Sequence, residues 1–324
     1  MTNCSNEYPS TDVYYPDMPS DIVLVIGLCI GSLLMVICLA IFVEEIVFIR
    51  KHYYDNVSTG RMMLVLLGLF PVICTTRMVS VFVPTSNVLM NLLSSCYIAV
   101  CIYAYISMTI SLFGGREMMI RILAKCKISI VPKLCYRCLR CLFKPITMTK
   151  KSFRTFELLA MQFMFVRPFL LLIEAVFRTD ERTGTAMDIK NPTIYISLLS
   201  AISTITSKYA LSVIFRASRL HLSHFCIVFK FVPFISVIIL DVLQSLMFNI
   251  LAELDIPACL NSFGPRLRES NFNNLLLVLE SFILCLIAHR GYRIVPTKHI
   301  LDPETTENEP NELYHDTNMA ATYL

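Results

Sequence analysis

The chain has 324 residues, 56% of them hydrophobic and only 16% charged, with a formal net charge of +4, thirteen cysteines and no tryptophan. Soluble domains average about 25% charged residues, so this composition excludes an ordinary water-soluble globule. The small net charge averages basic and acidic stretches and points to no nucleic-acid partner.

A bilayer-spanning helix needs about 20 mostly apolar residues, because every backbone amide in hydrocarbon must pair within its own segment. Seven stretches meet that requirement: Ile22–Ile49, Met62–Val83, Val88–Phe113, Phe156–Phe177, Thr193–Phe215, Phe225–Leu251 and Asn274–His289, the last being the shortest. The predicted fold is therefore an all-α membrane protein with seven transmembrane helices. Its organisation is an N-terminal segment (1–21), a helical domain (22–293) with a basic loop at 114–155, and an acidic tail (294–324).

Orientation follows from the basic residues, which are retained on the cytoplasmic side. Residues 1–21 carry four acids and no Lys or Arg, whereas the loop at 114–155 carries eleven cations against Glu117 alone. Arg50, Lys51 and Arg61 fall in the first loop, Arg216 and Arg219 in the fifth, and Arg290, Arg293 and Lys298 after the last helix. An extracellular N-terminus and a cytoplasmic C-terminus satisfy every loop. The first helix is expected to act as an uncleaved anchor. The sequon at Asn3 would lie outside, open to glycosylation, and the tail after His299 is expected to be disordered.

Residues 133–145 read KLCYRCLRCLFKP. Cys135, Cys138 and Cys141 sit on the expected reducing side, where stable disulfides are disfavoured, and a structural zinc site lacks an evident fourth ligand. Juxtamembrane cysteines among apolar and basic residues fit S-palmitoylation better. A solvated basic loop is the plain alternative. Just upstream, Met118, Met119, Ile122 and Leu123 recur at helical spacing, as in an interfacial amphipathic helix.

Charged residues at bilayer depth cost at least about 2.5–3.5 kcal/mol each, so they normally face the bundle interior. Arg77, Arg167, Lys208, Asp241 and Glu280 fall inside predicted spans, with Gln244 beside them. Arg77 and Lys208 either neutralise a carboxylate such as Asp241 or Glu280 or meet an anionic ligand. Arg167 is expected to pair with an acidic neighbour, and Lys230 and Glu157, near helix ends, to snorkel to water. Catalytic signals are thin: no phosphate-cradling GxxxxGK[ST] loop appears, and the His221-x-x-His224 pair lacks a carboxylate. Neither an enzymatic activity, a metal nor a cofactor is expected.

The ordered set AIFVEEIVFIRKH, LFGGREMMIRIL, the cysteine cluster, KFVPFISVIILDVLQ and LLVLESFILCLIAHRGYR resembles the alpha subunit of the organic solute transporter family, over about residues 39–293. The resemblance implies a multi-pass plasma-membrane facilitator that works with a single-span beta-type subunit, with room for a higher oligomer. It would move bile acids, steroid conjugates and related amphipathic anions among the membrane lipids, down their gradients. Matching positions are Glu44, Glu45, Arg77, Gly114, Gly115, Glu117, Cys135, Cys138, Cys141, Arg216, Arg219, Lys230, Gln244, Glu280 and Arg293. Ser111 stands where the family often has an acid, and it joins Arg77, Lys208, Gln244, Asp241 and Glu280 as a residue of the expected substrate pathway. A seven-helix chemosensory-type receptor and a non-transporting scaffold that organises lipid are the alternatives. Against the receptor stands LFGGRE at the end of the third helix, where an acidic-Arg-aromatic triplet would be expected.

Overall fold

The computed structural model describes residues 11–53, 56–124, 127–128, 146–179, 192–219, 221–222, 227–254, 256–258, 260 and 263–293. Its helices are α1 (Thr11–Asp17), α2 (Ile22–His52), α3 (Val57–Leu67), α4 (Leu69–Phe82), α5 (Asn87–Leu112), α6 (Arg116–Ala124), α7 (Lys150–Thr179), α8 (Pro192–Ser218), α9 (Ile227–Glu253) and α10 (Pro265–Arg293). A ribbon of two-residue strands, β1 (Lys127–Ile128) and β2 (Ile146–Thr147), pairs antiparallel. Seven helical stretches are long and apolar enough to cross a membrane: α2, α3 with α4, α5, and α7 to α10. The all-α, seven-span reading is thus what the structure contains.

Helix α10 is the hub, packing against α9, α4 and α2; α4 also meets α5 and α2, while α7 joins the bundle through α8 and α5. Large apolar side chains stand exposed along the outward faces, among them Ile26, Ile30 and Leu33 on α2 and Phe165, Phe169 and Leu172 on α7. In water such a surface would aggregate, but in a bilayer it is the hydrocarbon-facing side. Inside, Phe215 and Phe231 stack at 4.0 Å between centroids and Tyr105 closes on Phe231 at 5.1 Å, tying α8, α9 and α5 together.

Two elements depart from the expected spans. Helix α10 begins nine residues before the predicted Asn274, because Glu269, Ser270, Asn271 and Asn273 are polar yet buried against other helices. A hydropathy reading assigns such residues to a loop. The second span breaks at Gly68, since Pro71 has no N–H to offer the carbonyl of Leu67. The loosened turn is satisfied from α5: Tyr97 Oη donates to the Val65 carbonyl at 3.0 Å and Cys101 Sγ contacts the same oxygen at 3.4 Å.

At the end of α5 the chain turns through Gly114 (φ 78°) and Gly115 (φ 122°), a region that only glycine enters without strain. Gly115 N–H bonds the Ile110 carbonyl and Gly114 N–H that of Ser111, each at 3.0 Å, which is a Schellman cap. This turn launches α6, whose Met119 and Leu123 are buried as the amphipathic pattern expects.

Candidate functional site

Arg77, on α4, is the centre of a polar cluster drawn from four helices. Its Nη2 donates to Asp241 Oδ1 on α9 at 2.6 Å, and its Nη1 donates to Asn91 Oδ1 on α5 and to Asn274 Oδ1 on α10 at 3.4 Å. The chain of amides continues as Asn91 Nδ2 donates to Asn87 Oδ1 at 3.4 Å and Asn87 Nδ2 to Ser270 Oγ at 3.2 Å. A guanidinium with several planar donors is the side chain suited to bind such a convergent set of oxygens. Of the two carboxylates expected near Arg77, the structure selects Asp241.

Lys208 on α8 donates to the Ile238 carbonyl of α9 at 2.8 Å and lies in the electrostatic field of both Asp241 and Arg167. Arg167 donates to Ser200 Oγ across the α7–α8 contact. Gln244 Nε2 donates to the Glu280 carboxylate, linking α9 to α10 one turn beyond Asp241. Arg77, Arg167, Lys208, Asp241 and Glu280 therefore all lie within the spans, and the buried Lys230 and Glu269 add one charge of each sign.

A second cluster closes the other end of the bundle. Glu45 is fully buried; its Oε1 receives Arg293 Nε at 3.1 Å and lies 2.6 Å from His289 Nδ1, while Arg293 also bonds Glu44 and lies over the Phe48 ring at 5.4 Å. This joins the tail of α2 to the tail of α10. It is a structural clamp, built from the two sequence stretches that carry the family resemblance most strongly.

The remaining expected residues are dispersed. Ser111 Oγ bonds Thr59 Oγ1 at 2.7 Å, at the end of the bundle where α3 begins and α5 ends, away from Arg77. Glu117 pairs with Lys150 at 3.1 Å on an exposed surface, Arg216 Nε donates to the Ser212 carbonyl at 3.2 Å, and Arg219 is exposed. Lys230 does not snorkel. Lys230 is 1% exposed with its ammonium 5.4 Å from the Tyr292 ring, since it lies one turn inside α9 where α10 covers it; Glu157 is held by Arg116 at 2.5 Å. Burial pushes the His221 imidazole below its ordinary pKa, which keeps it neutral beside Phe113. Among the described residues no group of three or more His, Cys, Asp or Glu is placed to hold a metal. Asn3 and the cysteines Cys135, Cys138 and Cys141 lie outside the described residues.

Sequence reasoning missed the N-terminal strap. Tyr14 Oη donates to the Val81 carbonyl at 2.9 Å and receives Asn271 Nδ2 at 3.4 Å, Tyr15 Oη donates to the Phe82 carbonyl at 3.0 Å, and Asp21 pairs with Arg268 at 3.1 Å. These bonds satisfy carbonyls left over at the end of α4. Asn91 and Asn274 were also missed as Arg77 partners, although the polar run NFNN just before an apolar helix was a signal available in the sequence.

Beside the kink, a groove of about 260 Å³ opens toward the lipid-facing side between α2, α4 and α5, lined by Leu39, Phe42, Pro71, Val72, Leu93 and Tyr97 among others. The sequence profile of "Organic solute transporter Ostalpha" matches residues 27–297. The chain belongs to this organic solute transporter alpha family. It is 26% identical to the bovine and human proteins named organic solute transporter subunit alpha, in each case over 88% of this chain and 85% of the relative. It is also 23% identical to organic solute transporter alpha-like protein 3 of Caenorhabditis elegans, over 89% of this chain and 82% of that protein. No solved structure matches. Membership makes the chain a multi-pass membrane transporter subunit, and the seven spans, the Arg77 cluster and the Glu45–Arg293 clamp are the framework of an organic solute transporter alpha protein.

Proposed function

We propose that this alpha subunit is a plasma-membrane facilitator of amphipathic organic anions, such as bile acids, steroid conjugates and related lipids, acting with a single-span beta-type subunit. The observation that carries the reading is Lys208, set inside a span with its ammonium bonded to the Ile238 carbonyl, in the field of Asp241, the partner of the buried Arg77. An ammonium held there by a carbonyl is costly in a low-dielectric interior, and an anionic head group offsets that cost. The groove at the α4 kink is smaller than the roughly 300–1,000 Å³ of enclosed ligand pockets. It fits part of an apolar body whose remainder stays in lipid.

The substrate then enters sideways from a leaflet, its ring system against the helix surface and its anionic end drawn toward the deep cations, with Gln244 and Glu280 shaping the polar side of the track. No nucleotide-binding loop is encoded, so flux follows the gradient in either direction. The N-terminus is read as extracellular and the C-terminus as cytoplasmic, which exposes Asn3 to glycosylation and places Cys135, Cys138 and Cys141 at the inner leaflet for acylation.

The test is uptake and efflux of a labelled sulfated steroid by cells expressing the chain with and without a beta-type subunit. Flux in both directions is expected only with the pair, falling at least tenfold in Lys208→Met protein that still reaches the surface. Undiminished flux in that variant, or none with any beta-type partner, overturns the reading. A glycosidase-sensitive shift lost in Asn3→Gln protein checks the orientation.

A further inference from the structure

Helix α7 carries exposed apolar side chains on one stripe: Leu158, Phe165, Phe169 and Leu172 follow one another at spacings of seven, four and three residues, which keeps them on a single helix face. That face meets hydrocarbon. Continued one turn toward the start of α7, it reaches Arg154, and one further turn brings Lys150 and Lys151, all three exposed. A lipid whose chains lie against Leu158 and Phe165 therefore has its head group at the level of Arg154 and Lys151.

Acids do not neutralise this face. Lys150 Nζ pairs with Glu117 at 3.1 Å and Arg116 pairs with Glu157 at 2.5 Å, two bonds that lay α6 beside the start of α7, and Arg116 also stands 5.6 Å from the Phe153 ring. Arg121 lies one turn beyond Glu117 on the exposed side of α6, since residues four apart share a side. Among the described residues no acid pairs with Arg121, Lys151 or Arg154. Cations that only fix topology need the right number on one side of the membrane, not alignment with a lipid-facing stripe.

We propose that the start of α7 and the neighbouring edge of α6 bind a phospholipid whose head group carries more than one phosphate, of the phosphorylated inositol class. Its chains lie along Leu158 and Phe165, and its phosphates meet Arg154, Lys151 and Arg121. Three cations without acids match a head group of several negative charges better than one of a single net charge, and the guanidinium fork suits phosphate oxygens. Arg50, Lys51, Arg61 and Arg290 are exposed at the same end of the bundle, which the proposed orientation places against the anionic inner leaflet. The choice of leaflet rests on that orientation, but the site does not. A lipid held there fastens α6 to α7 and makes this corner of the bundle responsive to the lipid content of the membrane.

The purified chain in detergent is titrated with dioctanoyl phosphatidylinositol bisphosphate, with free inositol trisphosphate and with dioctanoyl phosphatidylserine, binding being read by thermophoresis. The bisphosphate lipid is expected to bind at least tenfold more tightly than the other two. Lys151→Gln/Arg154→Gln should weaken it about twenty-five-fold, at roughly fivefold per cation near a head group. Arg50→Gln/Arg290→Gln removes the same charge from exposed positions on α2 and α10 and should leave the affinity within about twofold. All four positions are exposed, so unchanged melting temperatures confirm that the variants fold. Absence of binding, or equal loss in the two double variants, overturns the proposal. Equal binding of the free head group would make this a soluble polyphosphate site, and equal binding of phosphatidylserine a general charge effect; either result also overturns it. No readout involves transport, so a chain that binds this lipid and moves no steroid would sink the proposed function alone.

Discussion

Arg77 and Asp241, 164 residues apart in the chain, meet at 2.6 Å with side chains only 7% and 10% exposed. Removing one partner of such a pair leaves a buried charge uncompensated, which costs about 3–5 kcal/mol. Asp241→Asn should therefore lower Tm sharply and reduce surface expression. The double variant Arg77→Met/Asp241→Leu removes both charges but leaves Asn91 and Asn274 without their donor, so it should recover only part of the stability lost in Asp241→Asn, yet carry no anion flux. Thermal unfolding and flux measured on the same preparations separate the structural role of the pair from its functional one.

The N-terminal strap is held by neutral hydrogen bonds from Tyr14 and Tyr15 as well as by the Asp21–Arg268 ion pair, and Tyr14 is the side chain on which it turns. Burial, only partly offset by the bond from Asn271, pushes the Tyr14 phenol up to about 12 from its usual 10. Because the folded state prefers the protonated phenol, its contribution is fully present below pH 10. It declines as pH rises from 10 and is lost above about 12. Tyr14→Phe should remove about 0.5–1.5 kcal/mol of docking energy, read as faster proteolysis of residues 11–20 at neutral pH. In an ultraviolet difference titration the variant should lack the tyrosinate step near pH 12 that Tyr14 gives the natural chain.

How much of this was legible depended on whether a residue's environment matches its polarity. Helices α2, α5 and α9 were readable to within a few residues because their surfaces face hydrocarbon and their composition says so. The first nine residues of α10 were not, since Glu269, Asn271 and Asn273 are polar groups buried inside the protein, and composition records only that they are polar. The deep ions were visible as costs, but not their pairing: Asp241 and Glu280 were equal candidates for Arg77 until helix rotation placed Asp241 against it and Glu280 against Gln244. Lys230 misled for the same reason, because a position near a helix end does not reveal that α10 covers it.

At Gly291 the close approach of α10 to α9 leaves no room for a side chain. A Cβ there would lie 2.6 Å from Phe229 Cβ and 3.1 Å from the Phe229 carbonyl oxygen, and the backbone atom cannot swing aside. Gly291→Val should force the helices apart, costing at least the roughly 1–3 kcal/mol of an overpacked core, while Gly115→Ala tests a different constraint, the positive φ of an open turn. Detergent-solubilised Gly291→Val protein is expected to melt well below the natural chain, and a melting point within a degree of it would refute the packing argument.

If the cysteine-rich loop is acylated, the label should follow the thiols and not the surrounding charge. Cys135, Cys138 and Cys141 replaced together by Ser should abolish hydroxylamine-sensitive acyl exchange, while replacing Arg137 and Arg140 by Gln should leave it in place. Equal acylation of the Ser variant would assign the modification to other cysteines and return this loop to the role of a basic topological signal.

The clamp at the ends of α2 and α10 offers a control within itself, because two adjacent glutamates meet the same arginine in different surroundings. Glu45 is fully buried, bonded to Arg293 and in contact with His289, whereas Glu44 is exposed and shares only the solvent-facing side of Arg293. Exposed pairs contribute little and are screened by salt, while a buried carboxylate bonded to a guanidinium contributes more. Glu45→Gln should lower Tm in a way that high salt does not reproduce in the natural chain, and Glu44→Gln should leave it unchanged. Equal effects of the two substitutions would mean that the clamp is held by Arg293 over the Phe48 ring rather than by the buried carboxylate.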